Sequence, residues 1–290
     1  MSTPVGIVGL GLVGQALATR LASAGFDLLG WDQQAGARDA WAVQGRRLAT
    51  SLADLGGSCE RTVLAVFDTA GVLAVVEGPA GLLAGAATKA LIDCSTGDPD
   101  ALLSLSHRLA ARGVDFIEAP LSGSSSQIAE GTATMLLGAT GEAVARQTDL
   151  LSAMATRRIH VGGAGAGARA KLATNLVLGL NRAALAEGLV FAESLGIAPE
   201  QFLELVLATP ARSDAALAKG AMMVSGQFEP QSRIRQHLKD VELMLAQAAQ
   251  AGRHLPLSTT HAELLRAAVA AGDGELDNAA IIRQLRREIP

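Results

Sequence analysis

Val5-Gly6-Ile7-Val8-Gly9-Leu10-Gly11-Leu12-Val13-Gly14 is the segment from which the architecture of the first half of the chain follows. A short apolar run enters a Gly-x-Gly-x-x-Gly turn, and residues 13–23 then carry the pattern of a helix that Gly25 closes. Each glycine has a physical reason: Gly9 allows a tight turn, Gly11 lets a pyrophosphate approach the backbone, and Gly14 permits close helix–strand packing. The helix start presents unpaired N–H groups and a positive dipole end to phosphate. Asp32 lies 18 residues beyond Gly14, at the end of the strand-like run 27–31, where a carboxylate accepts hydrogen bonds from ribose hydroxyls. A glycine-rich turn with an ordinary surface Asp is the competing reading. Strand, turn, helix and carboxylate together favour a dinucleotide site built from Gly9, Leu10, Gly11, Leu12, Val13, Gly14 and Asp32. Gln33-Gln34-Ala35-Gly36-Ala37 follows, with Arg38 as the one nearby cation, so NAD is expected in preference to NADP.

Outward from this stretch the first half of the chain alternates. Apolar runs at 62–67, 90–93, 114–117, 132–137 and 158–161 are separated by helical patterns at 51–55, 69–76, 99–112 and 142–154. Strands separated by helices imply βαβ units and a mainly parallel sheet, so residues 1–162 read as a Rossmann-type, doubly wound α/β domain. Gly162-Gly163-Ala164-Gly165-Ala166-Gly167 reads as a flexible interdomain hinge. Its glycines resemble a second phosphate loop, but no strand with a terminal carboxylate follows. Helical periodicity alone continues from about Ala168, punctuated by Pro199, Pro210, Pro230, Pro256 and Gly272. Residues 163–290 are therefore expected to form an all-α domain.

Of the 290 residues, 49% are hydrophobic and 18% charged, which excludes disorder. A net charge of −4, 3% aromatics and no Tyr speak against nucleic acid or an anionic membrane as partner. Cys59 and Cys94 read as small buried apolar residues, compatible with a reducing cytoplasm. No secretory leader is evident, and no run reaches the ~20 apolar residues of a membrane span. The Ala-rich stretch 164–189 is interrupted by Arg169, Lys171, Asn175, Asn181, Arg182 and Glu187 and reads as a buried helix of a soluble protein. Five histidines show no paired metal-ligand spacing, so no metal site is expected.

Lys171 and Asn175, four residues apart, share a helix face. A lysine in an Ala/Leu-rich surface suits a general acid/base, because burial and a cationic nicotinamide both depress its pKa. By periodicity alone, a lysine extending from a half-exposed helix is the better reading. Ser95-Thr96 and Ser122-Gly123-Ser124 follow strand-like runs, at the edge where open parallel sheets bind ligands. The second turn suits a carboxylate, with helix capping by Ser122 as the alternative. His237 reads as part of a solvated helix face, with a place lining a cleft as the alternative.

These motifs, in this order, resemble the β-hydroxyacid dehydrogenase family. Gly9 to Gly14 is similar to its cofactor loop. Glu118-Ala119-Pro120-Leu121-Ser122-Gly123-Ser124, followed by Glu130-Gly131-Thr132, is similar to its substrate motif, commonly Asp-Ala-Pro-Val-Ser-Gly-Gly then Gly-Thr. Gly165-x-Gly167 with Lys171 and Asn175 resembles the catalytic helix, and Lys239-Asp240 a late segment whose Lys lies near the cofactor. The resemblance reverses the reading of Lys171 and implies that it is the proton carrier. It implies that Ser122, Gly123, Ser124 and Asn175 hold a small 3-hydroxy acid, and that Phe67, Thr96 and Lys239 join the glycine loop around NAD. It also implies a long helix joining the domains and a homodimer or homotetramer. Ser124 departs from the usual second Gly; it is either strained, if the backbone needs positive φ, or adds a hydroxyl to the substrate pocket. An imine reductase on the same scaffold and a non-catalytic nucleotide-binding protein are the alternatives; the intact Lys171 and Asn175 argue against both.

Overall fold

The computed structural model describes residues 3–287 and divides into two compact units, one ending at Lys171 and the other beginning at Leu172. The first unit runs β1 (Val5–Val8), α1 (Leu12–Ser23), β2 (Leu28–Trp31), α2 (Ala35–Ala42), β3 (Arg47–Leu48), α3 (Leu52–Ser58), β4 (Arg61–Leu64), α4 (Thr69–Glu77), β5 (Ala90–Asp93) and α5 (Pro99–Ala110). It continues with β6 (Asp115–Glu118), β7 (Leu121–Ser122), α6 (Ser125–Glu130), β8 (Thr134–Gly138), α7 (Gly141–Arg146), α8 (Thr148–Met154) and β9 (Arg157–Gly162). Helix α9 (Ala166–Ser194) then carries the chain into the second unit, which holds α10 (Pro199–Ala208), α11 (Asp214–Ser225), α12 (Ile234–Gln250), α13 (Pro256–Ala270) and α14 (Ile281–Arg287). This is a Rossmann-like sheet followed by a helical domain.

The sheet order is β3-β2-β1-β4-β5-β6-β8-β7, with β9 beside β8. The pairings from β3 to β6 are parallel, in the doubly wound order 3-2-1-4-5-6. Alternation along the strands fills both faces. Ile7, Val63, Ile92 and Ile117 enter one core with α1 and α8, while Val8, Leu64, Leu91 and Phe116 enter the other with α4 and α5. β8 breaks the parallel rule: it meets β6 antiparallel through the pair Glu118↔Gly138 and meets β7 antiparallel through Leu121↔Met135.

Helix starts follow local chemistry. Ser51, Asp68, Asp98, Thr140 and Ser213 each accept a backbone N–H of the first turn they cap. Helix α1 differs: its N-cap is Gly11, it has no capping side chain, and its first turn holds no acidic residue.

Two expectations require correction. The glycine-rich segment is not a loose hinge, because Gly162 ends β9, Ala166 already begins α9, and the Gly165 and Ala168 amides are bonded to the Glu118 carboxylate. The division at 171/172 falls inside α9. Helix α9 has the length and apolar content of a membrane span by composition, yet its Leu172, Leu185, Ala186 and Leu189 lie in the core of the helical unit.

That core also encloses charge. Asp277 is fully buried and accepts from Lys219 Nζ at 2.9 Å, from the Gln231 and Ser232 amides at 2.9 and 3.1 Å, and from the Ala279 amide at 3.0 Å. Burial pulls the Arg182 guanidinium down to about 10, against the pull of Asp277. Asp277→Ala is expected to cost about 3–5 kcal/mol, because it leaves Lys219 buried and unpaired and takes the acceptor from three amides. Lys219→Met should cost less, since Asp277 keeps its backbone donors. Urea unfolding followed by far-ultraviolet circular dichroism on both variants checks the ranking.

Candidate active site

The glycine loop is formed by atoms that leave no room for side chains. A Cβ on Gly14 would lie 1.8 Å from the Gly9 carbonyl oxygen, and one on Gly9, whose φ is +90°, would lie 2.3 Å from that of Ala65. In front of Gly11 there is open space. The loop thus brings α1 close to β1 and the end of β4, and no side chain caps the first turn of α1. These residues fit a dinucleotide pyrophosphate.

Asp32 stands at the end of β2. Its Oδ2 accepts the Leu10 amide at 2.7 Å and its Oδ1 the Gln34 amide at 2.8 Å, so the carboxylate is fixed beside the glycine loop. Arg38 Nη1 donates to the Asp32 carbonyl at 2.6 Å and to that of Gln33 at 3.0 Å. Further along the same sheet edge, Ser95 ties two strand ends together. Its Oγ accepts the Val66 amide at 3.1 Å while its own amide donates to Asp93 Oδ1 at 2.9 Å. Phe67 follows Val66 and is 48% exposed, and Thr96 follows Ser95, half-buried.

Lys171 is buried, and its Nζ donates to the Leu121 carbonyl at 2.6 Å. It therefore reaches back from α9 to the residue that precedes the Ser122-Gly123 turn. A Cβ on Gly123 would lie 2.8 Å from that of Ala133 and 3.0 Å from Gln127 Oε1, so the turn closes tightly onto the segment before β8. Ser124, at φ −76°, is unstrained. Its Oγ accepts the Gln127 amide at 3.3 Å while Gln127 Oε1 accepts the Ser124 amide at 2.8 Å, a reciprocal cap of α6. The capping serine is thus Ser124 and not Ser122, and the extra hydroxyl is engaged in holding a helix end.

The helical unit gathers three further residues. The buried Asp240 receives Asn175 Nδ2 at 3.3 Å and pairs with Lys239 Nζ at 2.9 Å. Asn175 lies one turn beyond Lys171 on α9. His237 is not on a solvated face: it is 5% exposed and packs against Gly179 and the His261 ring, whose centroid is 5.2 Å away.

Two carboxylates at the sheet edge receive no role from the sequence: Asp93, and Glu118, which enters only as the first residue of the Glu118–Ser124 motif. Glu118 ends β6 and is directly opposite Asp93 of β5 in register. Both are 1% exposed. Burial pushes the Glu118 carboxyl up to about 7, opposed by the Ala168, Gly165 and Gly167 amides and assisted by the negative charge of Asp93. The available signal was an acidic residue closing an apolar run, where a buried strand would otherwise end in an apolar or hydroxyl side chain.

The chain matches known proteins along nearly all its length. Residues 4–163 match the family profile described as the NAD binding domain of 6-phosphogluconate dehydrogenase. Residues 165–285 match the profile of the NAD-binding region of NADP-dependent 3-hydroxyisobutyrate dehydrogenase. It is 28% identical to the 2-(hydroxymethyl)glutarate dehydrogenase of Eubacterium barkeri, over 97% of this chain and 94% of that one. It is 29% identical to the L-threonate dehydrogenase of Cupriavidus necator, over 98% and 96%. The crystal structure of a 3-hydroxyisobutyrate dehydrogenase from Salmonella typhimurium superposes with a TM-score of 0.87 at 26% identity, over 97% of this chain and 99% of that one. With its glycine loop, its Lys171 on α9 and these matches across both units, the chain belongs to the β-hydroxyacid dehydrogenase family.

Proposed function

We propose that this chain is a cytoplasmic dehydrogenase of a small 3-hydroxy acid, using NAD and with Lys171 as the general acid/base. The observation that carries the reading is the buried Lys171 ammonium, held at 2.6 Å by the Leu121 carbonyl next to the Ser122-Gly123 turn. Similarity to dehydrogenases of L-threonate and 2-(hydroxymethyl)glutarate supports the substrate class.

A bound nicotinamide supplies or accepts the hydride. The glycine loop would hold its pyrophosphate and Asp32 its adenosine ribose; Phe67, Thr96 and Lys239 are assigned to the same cofactor. Lys171 takes the hydroxyl proton during oxidation and returns a proton to the alkoxide oxygen during reduction. The Leu121 carbonyl orients Nζ, so proton transfer needs little reorganisation. Ser122 and Gly123 are assigned to the substrate carboxylate, and Asn175 to the substrate on the resemblance; Ser124 contributes by fixing the end of α6.

Lys171→Ala should lower kcat by about two to four orders of magnitude while cofactor KM changes little, since the pyrophosphate rests elsewhere. The assay is reduction of NAD with a panel of glycerate, threonate, serine and 3-hydroxyisobutyrate. Near-normal turnover in the variant would remove the proton-carrier role, and inactivity of the native protein across the panel would remove the substrate class.

NAD is assigned over NADP because the Asp32 carboxylate would repel a 2′-phosphate. Arg38 is meanwhile engaged with two backbone carbonyls. Native kcat/KM should favour NAD by about tenfold or more, about 1.4 kcal/mol, and Asp32→Ser should narrow the ratio. Equal use of the two cofactors would overturn this assignment.

Val177 and Phe191 on α9 and Leu195 just past its end are exposed. A second copy of the chain is assigned to cover them, giving a homodimer or homotetramer. Light scattering should return at least twice the 29.6 kDa chain mass, and Phe191→Glu should lower it.

A further inference from the structure

Glu118 has no part in the chemistry set out above, yet the start of α9 is built around it. Its Oε1 accepts the Gly165 amide at 2.8 Å and its Oε2 the Ala168 amide at 3.0 Å. Two glycines yield to it: a Cβ on Gly138 would lie 2.5 Å from Oε2, and one on Gly167 would lie 2.8 Å from both Cβ and Oε2 of Glu118. Three residues further on in both segments, the contact repeats: Lys171, three beyond Ala168, bonds to Leu121, three beyond Glu118. The first two turns of α9 are therefore joined to the β6–β7 segment at two successive points, one a carboxylate on the helix-start amides and the other the lysine on a carbonyl.

We propose that Glu118 is the positioning residue of the lysine: by clamping the first-turn amides of α9 to the end of β6, it sets the register that brings Lys171 Nζ to the Leu121 carbonyl beside the Ser122-Gly123 turn. The proposal rests on the reading of Lys171 as proton carrier. A carboxylate suits this role because it offers acceptor lone pairs only, matched to a helix start that offers donors only. The amide of a Gln at this position would turn an NH2 group against one of those N–H donors.

The test compares the native protein with Glu118→Gln and Glu118→Asp. Amide exchange of residues 165–168 and acetylation of Lys171 by N-hydroxysuccinimide acetate, both followed by mass spectrometry, read the clamp without any substrate. Glu118→Gln should speed exchange at those amides about tenfold and Lys171 acetylation at least threefold. It should lower kcat about tenfold on whichever panel acid the native protein oxidises, with cofactor KM within twofold. Glu118→Asp, which restores an all-acceptor group, should recover most of each loss. In the native protein the Gly165 and Ala168 amides, corrected for the intrinsic rate, should exchange at least tenfold more slowly than the uncapped first-turn amides of α1. That arm needs no variant and decides the matter if Glu118→Gln does not fold. Native-like exchange and acetylation in Glu118→Gln, or native exchange at 165–168 as fast as at the start of α1, would overturn the proposal. Lys171→Ala with near-normal turnover would overturn the catalytic reading instead, and with it the positioning role of the clamp.

Discussion

The approach of Gly14 to the carbonyl of Gly9 is the constraint on which the rest of the first unit depends. Only a residue without a Cβ lets α1 come this close to β1, and only then does the helix start reach the carboxyl edge of the sheet. Helices α3, α4, α5 and α7 complete their first turns with Ser, Thr or Asp, while α1, α2 and α8 have no capping side chain. Helix α1 starts at Gly11 with no capping side chain and open space beside it, which fits the pyrophosphate proposed for it above.

A second device recurs through both units: a carboxylate placed where backbone amides have no ladder partner. Asp32 gathers Leu10 and Gln34, Asp93 takes Ser95, Glu118 gathers Gly165 and Ala168, and Asp277 gathers Gln231, Ser232 and Ala279. Buried amides left unbonded would each cost on the order of 1–3 kcal/mol, so a side chain that satisfies two or three at once holds irregular backbone firmly. At Asp277 the charge is balanced by Lys219. At Glu118 burial acts beside Asp93 of the same sign, and the carboxyl rises towards neutrality. The first arrangement favours stability. The second trades stability for a fixed helix start, which is the sort of cost found near reacting groups.

Much of the fold was legible because it depends on local pattern. The parallel β1 to β6 region, the glycine loop, Asp32 and the switch to an all-helical second half follow from apolar periodicity, glycine spacing and helix breakers, each within a window of a few residues. The two-residue strands β3 and β7 and the six-residue α6 were not, since stretches so short carry no period. Nor was the direction of β8, which is set by its partners across the sheet.

The candidate site divides the same way. Apolar periodicity and glycine spacing are enough for a dinucleotide-type fold, whereas Lys171 reads as half-exposed by periodicity alone and becomes a candidate proton carrier only through the family resemblance. Tertiary structure decided how the site residues are held. It made Ser124 the cap of α6, buried His237 against His261, drew Asn175 and Lys239 to Asp240, and locked the glycine-rich segment onto Glu118. The Glu118 contacts span 47 and 50 residues, and the Lys171–Leu121 bond spans 50. A hydrogen bond is decided by where two atoms meet in space, and positions so far apart in the chain are brought together only by the packing of the sheet between them.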